Sequence, residues 1–267
     1  MPNDLWVMKN GGYWGLAYGV AVFSPRCSDT LGPPPRTDTM VRLVAAALFL
    51  LLSHFGLASS PLRAILARTL GERLYIGLYS VLTLAAFAWL ILAYRGAPTR
   101  VLWTAPGWVG LAALLIVPLA FLLIVAGLTT PNPTIVGAEQ LFARPDIVRG
   151  ILRVTRNPFL WGVGLFALAH VAATGDLASV LFFGALGALG LAGAPLLDAK
   201  KAKRHGAGWH AFATVTSSIP FLAIVQGRQR LVLGEIGLWR IALALGLFVL
   251  MLIVHGWAFG TSPLSGL

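Results

Sequence analysis

From about residue 40 onward the chain is a series of long apolar runs cut by short polar loops. A membrane-crossing helix needs ~20 mostly apolar residues. Six runs meet or approach that length: 41–58, 75–94, 107–128, 158–174, 177–197 and 237–259. The fourth is short, but Gly175 and Asp176 divide it sharply from the fifth. Glycine suits the position just past one helix and aspartate the cap of the next, so a tight helical hairpin is predicted. Asn157-Pro158 opens the fourth run as a cap followed by proline at the first helical position. The segment 219–225 is too short to span and reads as interfacial or re-entrant. The pattern predicts an all-α fold, a polytopic transmembrane helical bundle of about six spans.

Residues 1–39 do not fit that pattern. They are rich in glycine and aromatics, then in proline (Pro33, Pro34, Pro35), and the apolar stretch Tyr13–Phe23 is too short to span. No small-residue cleavage site follows it. Two readings stand side by side: a disordered extension ahead of the membrane domain, or an upstream start with Met40 as the true initiator. Either way the domains divide as 1–39, an N-terminal extension, and 40–267, the integral membrane domain.

Composition sharpens the class. Apolar residues make up 58% of the 267 and charged residues 11%, against about 45–50% and about 25% in a soluble domain. So little charge cannot cover a water-facing surface, which excludes a soluble enzyme, and the hydrophobicity excludes disorder of the whole chain. One cysteine, Cys27, excludes a disulfide scaffold and a cysteine zinc site.

The net charge of +11 then becomes a topological signal rather than a sign of nucleic-acid binding. The loop 59–74 carries Arg63, Arg68 and Arg73. The loop 129–157 carries Arg144, Arg149, Arg153 and Arg156. The loop 198–236 carries Lys200, Lys201, Lys203, Arg204, Arg228 and Arg230. The opposite side has only Arg95 and Arg100. Loops one, three and five are expected to face the cytoplasm and both termini to lie outside, in a bacterial inner membrane.

Ionisable residues within spans are costly and default to functional candidates. His54, His170 and His255 qualify, whereas His205 and His210 fall in the fifth loop and need no special partner. At ~1.5 Å per residue His54 sits roughly 6 Å from the inner end of its span and His170 roughly 18 Å. Two histidines at such depths can ligate one haem if the macrocycle leans, or can serve as structural hydrogen-bonding residues. His255 reads as interfacial.

Two other features invite chemistry. In 146–156, Arg149, Arg153 and Arg156 recur at helical spacing, with Ile147, Ile151, Leu152 and Val154 opposite. That is either a surface helix snorkelling its arginines to headgroups or an anion clamp for haem propionates or a nucleotide-like cofactor. In the fifth span, Gly184, Gly187, Gly190 and Gly193 alternate with alanines. They serve tight bundle packing or a groove for a flat ligand.

Several blocks in order resemble the NnrU family: Ser53-His54-Phe55-Gly56-Leu57-Ala58-Ser59, Leu70-Gly71-Glu72-Arg73, Gly77-Leu78-Tyr79-Ser80, Tyr94-Arg95-Gly96-Ala97-Pro98, Thr155-Arg156-Asn157-Pro158-Phe159-Leu160-Trp161-Gly162 and Ala169-His170. Asp198-Ala199-Lys200-Lys201 and Gly208-Trp209-His210-Ala211-Phe212 extend the likeness across about 40–260. The family is associated with nitrite and nitric oxide reduction, and its relative is the zeta-carotene isomerase of oxygenic phototrophs. That resemblance implies a haem b protein that isomerises the central cis double bond of an apolar polyene. It also implies His54 and His170 as axial metal ligands, and on the anion-clamp reading of their spacing Arg149, Arg153 and Arg156 are available for cofactor binding. An alternate cysteine ligand has no counterpart, because Cys27 lies outside the membrane domain.

A weaker resemblance is to membrane methyltransferases of the isoprenylcysteine carboxyl type. There an Arg-His-Pro precedes a helix and a paired acid follows the next hairpin. Here the histidine is Asn157 and the acid is Asp198 alone beside Lys200 and Lys201, a poor partner for a sulfonium. Three functions follow: a haem-dependent isomerase of a polyene, a non-enzymatic assembly or haem-handling factor, and the methyltransferase. The expected partners are the lipid bilayer and an apolar polyene, with no nucleic acid.

Overall fold

The computed structural model describes residues 7–9, 12–17, 20–23, 37–59, 61–135, 137–144 and 146–264. The chain divides into two compact units, 1–36 and 37–267. The first carries β1 (Val7–Lys9), β2 (Gly12–Ala17) and β3 (Val20–Phe23), paired antiparallel in the order β1-β2-β3.

The second unit is all-α. Its helices are α1 (Thr37–Ser59), α2 (Pro61–Leu70), α3 (Glu72–Arg95), α4 (Gly107–Thr129), α5 (Ile151–Val154), α6 (Pro158–Thr174), α7 (Leu177–Val215), α8 (Leu222–Val225) and α9 (Leu238–Phe259). Five of these, α1, α3, α4, α7 and α9, are long and apolar enough to cross a membrane. The sixth run, α6, has 17 residues, about 26 Å of helix against ~30 Å of hydrocarbon. Six apolar helices thus match the six runs, with α6 shorter than a full span.

Small residues explain which helices touch. Lipid tails are as apolar as leucine, so helices associate in a bilayer by close packing. A Cβ added at Gly190 would lie 2.5 Å from the Leu160 carbonyl oxygen, and one at Gly162 would lie 2.8 Å from that of Ala120. Gly127 and Gly164 are equally tight, against the Phe159 backbone and the Leu191 side chain. The glycines therefore seat α6 between α4 and α7 and leave no room for a flat ligand there. Gly184 is different: nothing lies within 4 Å of its Cβ position. A second core joins α1, α3 and α7 through Leu43, Ala46, Leu50, Ala86, Leu90, Ala178 and Ala185.

The predicted hairpin forms between α6 and α7. Gly175 adopts φ 67° and Asp176 accepts a hydrogen bond from the Ser179 N–H at 3.0 Å. Leu102 N donates to Gly175 O and Leu177 N to Arg100 O, so loops two and four meet at one end of the bundle. At the other end Arg156 pairs with Asp198 and Lys200 reaches Ala58 O, so loops one, three and five share that end.

Three loop expectations change. The helix expected over 146–156 is the single turn α5, preceded by Gly150 at φ 57°, so Arg149, Arg153 and Arg156 do not share a helical face. The 219–225 segment turns at Phe221 (φ 63°) into α8, whose Ile224 packs on Leu123, Ala126, Ile151 and Val154. His205 and His210 lie on α7, which continues far beyond the fifth apolar run and kinks at Gly206. The His205 ring lies 5.3 Å from that of Phe142, so it is packed rather than solvated in a loop.

Candidate functional site

The intramembrane histidines His54 and His170 lie in two different places. The first lies at the basic end, between α1, α2, α3 and α7. His54 projects from α1 one turn before Ala58, and antiparallel α3 brings Tyr79 to it, with Tyr79 Oη 2.9 Å from His54 Nδ1. Tyr75, one turn away on α3, stacks on Tyr79 at 6.1 Å and donates to Leu57 O at 2.7 Å. The Arg63 guanidinium lies over the Tyr75 ring at 5.4 Å and pairs with Glu72. Lys200 Nζ donates to Ala58 O at 2.8 Å. A hydrogen bond fixes one nitrogen of His54 and orients the ring, leaving Nε2 as its second polar atom.

The second place lies near the far end of α6. His170 Nδ1 donates to Phe166 O at 2.7 Å, and the ring stacks on Phe183 (4.6 Å) and lies tilted against Phe166 (4.1 Å). His255 on α9 directs its Nδ1 to Thr261 O at 2.7 Å, in keeping with an interfacial histidine.

The structure does not bring His54 and His170 together. Phe183, on which His170 stacks, and Lys200, which reaches the end of α1, lie 17 positions apart on α7. That is roughly 25 Å of helix at ~1.5 Å per residue; His54 is one turn nearer and the Lys200 side chain itself spans part of the gap, so the two histidines lie on the order of 10–20 Å apart along the bundle. Axial ligation holds two ring nitrogens on opposite sides of one iron, at metal–nitrogen distances on the order of 2 Å. Each ring is anchored through Nδ1, His54 by Tyr79 and His170 by Phe166 O, so a shared haem would require the two Nε2 atoms to approach from these separate places.

The three arginines are also separated. Arg153 donates to both carboxylate oxygens of Glu235, at 2.7 and 2.9 Å, and to Gln229. That pairing raises the Arg153 pKa, burial opposing it. Glu235 is held down at about 2, first by Arg153 and then by the Gly150 N–H. Arg156 donates to Asp198 Oδ2 through Nη2 (2.6 Å) and Nε (3.0 Å). Asn157 Nδ2 donates to Asp198 Oδ1 at 2.9 Å. Arg149 remains exposed, 3.7 Å from Asp146. Two of the three guanidiniums are thus occupied by carboxylates of this chain and form no common clamp. The same network answers the methyltransferase reading: Asp198 does meet Arg156 and Asn157, but its charge is already matched.

Sequence reasoning missed Tyr79 as the partner of His54. A signal was present, because Tyr75 and Tyr79 are one turn apart near the inner end of the second run, at the depth of His54 in the first. Glu235 as the partner of Arg153 left no such signal, being about eighty positions away. Among the described residues no group of three or more His, Cys, Asp or Glu could hold a metal ion.

An all-α bundle of long apolar helices with a buried polar network at one end defines a polytopic integral membrane protein. The NnrU protein family matches residues 42–263, and the chain belongs to that family. It is 30% identical over 240 residues to the 15-cis-zeta-carotene isomerase, chloroplastic, of Arabidopsis thaliana, covering 85% of this chain and 59% of that protein. The protein of the same name from Zea mays is 35% identical over 82 residues, 31% of this chain and 22% of that protein. The chain therefore spans well under two thirds of the length of these relatives. No solved structure matches it.

Proposed function

We propose that this chain is an integral membrane isomerase acting on a double bond of an apolar polyene. The observation that carries the reading is the 30% identity to the Arabidopsis isomerase over most of this chain. The fold supports it: an apolar substrate partitions into the bilayer, and the lipid-facing sides of α1 and α3 expose large apolar side chains there, including Leu52, Leu78 and Val81. A cis–trans isomerisation leaves the composition of the substrate unchanged. It consumes no proton donor or acceptor, in keeping with spans poor in acid–base pairs.

The chain's own residues would orient the polyene and keep water from it. His54, held by Tyr79, is the polar group of this reading at the apolar face, and His170 belongs to the packing of α6 on α7. No step is routed through a haem. The reading sets the protein in a bacterial inner membrane with loops one, three and five in the cytoplasm, supported by their excess of basic residues.

The test is expression in bacterial cells engineered to accumulate 15-cis-zeta-carotene. Pigment extracts should shift to the all-trans-centred isomer in the dark when this chain is present. Unchanged pigment with the protein folded in the membrane would overturn the reading and favour a non-catalytic membrane factor.

A further inference from the structure

The basic end holds a charge imbalance that the isomerase reading does not use. Glu72 is shared by two guanidiniums, Arg63 and Arg204, the second at 3.9 Å. Lys200 has no carboxylate among its described contacts; one of its three N–H donors goes to Ala58 O. Three cations therefore face one carboxylate, where α1 ends, α2 and α3 begin and α7 passes. The neighbouring Lys201 does not change the balance, because Glu139 pairs with it at 3.0 Å. The remaining polar groups turned to this place are His54, Tyr75 and Tyr79, none of them anionic in the pairings described above.

Position fixes what could answer that charge. α7 begins at Leu177, at the end where loops two and four meet. Lys200 lies roughly 34 Å further along it, just past ~30 Å of hydrocarbon and so at headgroup depth. Basic pockets between transmembrane helices at that level take phosphate headgroups. An ammonium with free donors beside two forked guanidiniums suits phosphate oxygens, which accept several charge-assisted hydrogen bonds at once. We infer that Arg63, Lys200 and Arg204 form a binding site for the phosphate of an anionic phospholipid, seated between α1, α2, α3 and α7.

Native mass spectrometry of the full chain, released from detergent with added phosphatidylglycerol or phosphatidylcholine, tests the site. Phosphatidylglycerol should be retained in preference to phosphatidylcholine. K200Q and R204Q should each weaken its retention about fivefold, and K200R should restore it. The pair K203Q and R230Q, which removes basic charge outside the cluster, should leave it intact. Equal retention of the two lipids, or K200Q indistinguishable from K203Q, would overturn the proposal. A circular dichroism spectrum and a monodisperse elution profile for each variant separate lost binding from lost fold. Should K200Q fail to fold, R204Q, at an exposed position, carries the test. Millimolar inorganic phosphate should not displace the lipid; displacement would assign the site to free phosphate and overturn the lipid assignment.

Discussion

Arg156 holds Asp198 through two N–H groups, at 2.6 and 3.0 Å, across the gap between the start of α6 and the middle of α7. Both side chains are about 15% exposed. Asn157 binds the other carboxylate oxygen, so the pair, not either residue alone, sets the register of these two helices at the basic end. Removing one partner of a largely buried pair leaves an uncompensated charge, at a cost of about 3–5 kcal/mol. D198A should lower the thermal midpoint in detergent strongly, and R156M/D198A should recover part of the loss. A D198A protein as stable as wild type would show that the pair does not hold the helices.

The Arg153–Glu235 pair makes a pH prediction. Glu235 is held at about 2 against an ordinary 4.5, first by Arg153. A carboxyl with a lowered folded-state pKa adds stability above its unfolded value, and that contribution disappears as the pH falls from 4.5 toward 2. Wild type should therefore lose thermal stability across that window more steeply than E235Q. Parallel curves for the two proteins would contradict the assignment.

Small-residue packing distinguishes two glycines in one helix. G190A places a methyl against the Leu160 carbonyl and should destabilise by about 1–3 kcal/mol through overpacking. G184A meets nothing within 4 Å and should be neutral or slightly stabilising, since alanine favours helix. Thermal melts of the two variants check this, and equal losses would refute the α6–α7 contact.

Much of this was legible in the sequence, and the reasons differ by level. The six apolar runs became six helices because a bilayer forces each spanning backbone to satisfy its own hydrogen bonds, so length and apolarity suffice. Gly175 and Asp176 formed their hairpin because cap chemistry is local. The site was less legible because it depends on how helices register against one another. The spacing around His54 and His170 does not itself name their partners, Tyr79 on α3 for the first and Phe166 and Phe183 on α6 and α7 for the second. The arginines at 149, 153 and 156 had helical spacing, but Gly150 at φ 57° interrupts the helix, and Glu235 and Asp198, far off in sequence, take two of them.

Separation of the histidines predicts independent effects. Sites more than ~7–10 Å apart without shared partners add within about 0.3–0.5 kcal/mol. The stability changes of H54A and H170A should therefore sum in the double variant, as measured by thermal or denaturant unfolding. A coupling well above that range would mean that the two residues share a ligand.

Isolated membranes carrying the full chain, mixed in the dark with 15-cis-zeta-carotene and sampled by chromatography, test the central claim most directly. The account predicts time-dependent loss of the cis isomer in membranes with wild-type protein and at least tenfold slower loss with H54A. H54A should be inserted to the same level as wild type. Membranes with folded wild-type protein that convert the substrate no faster than empty membranes would contradict it.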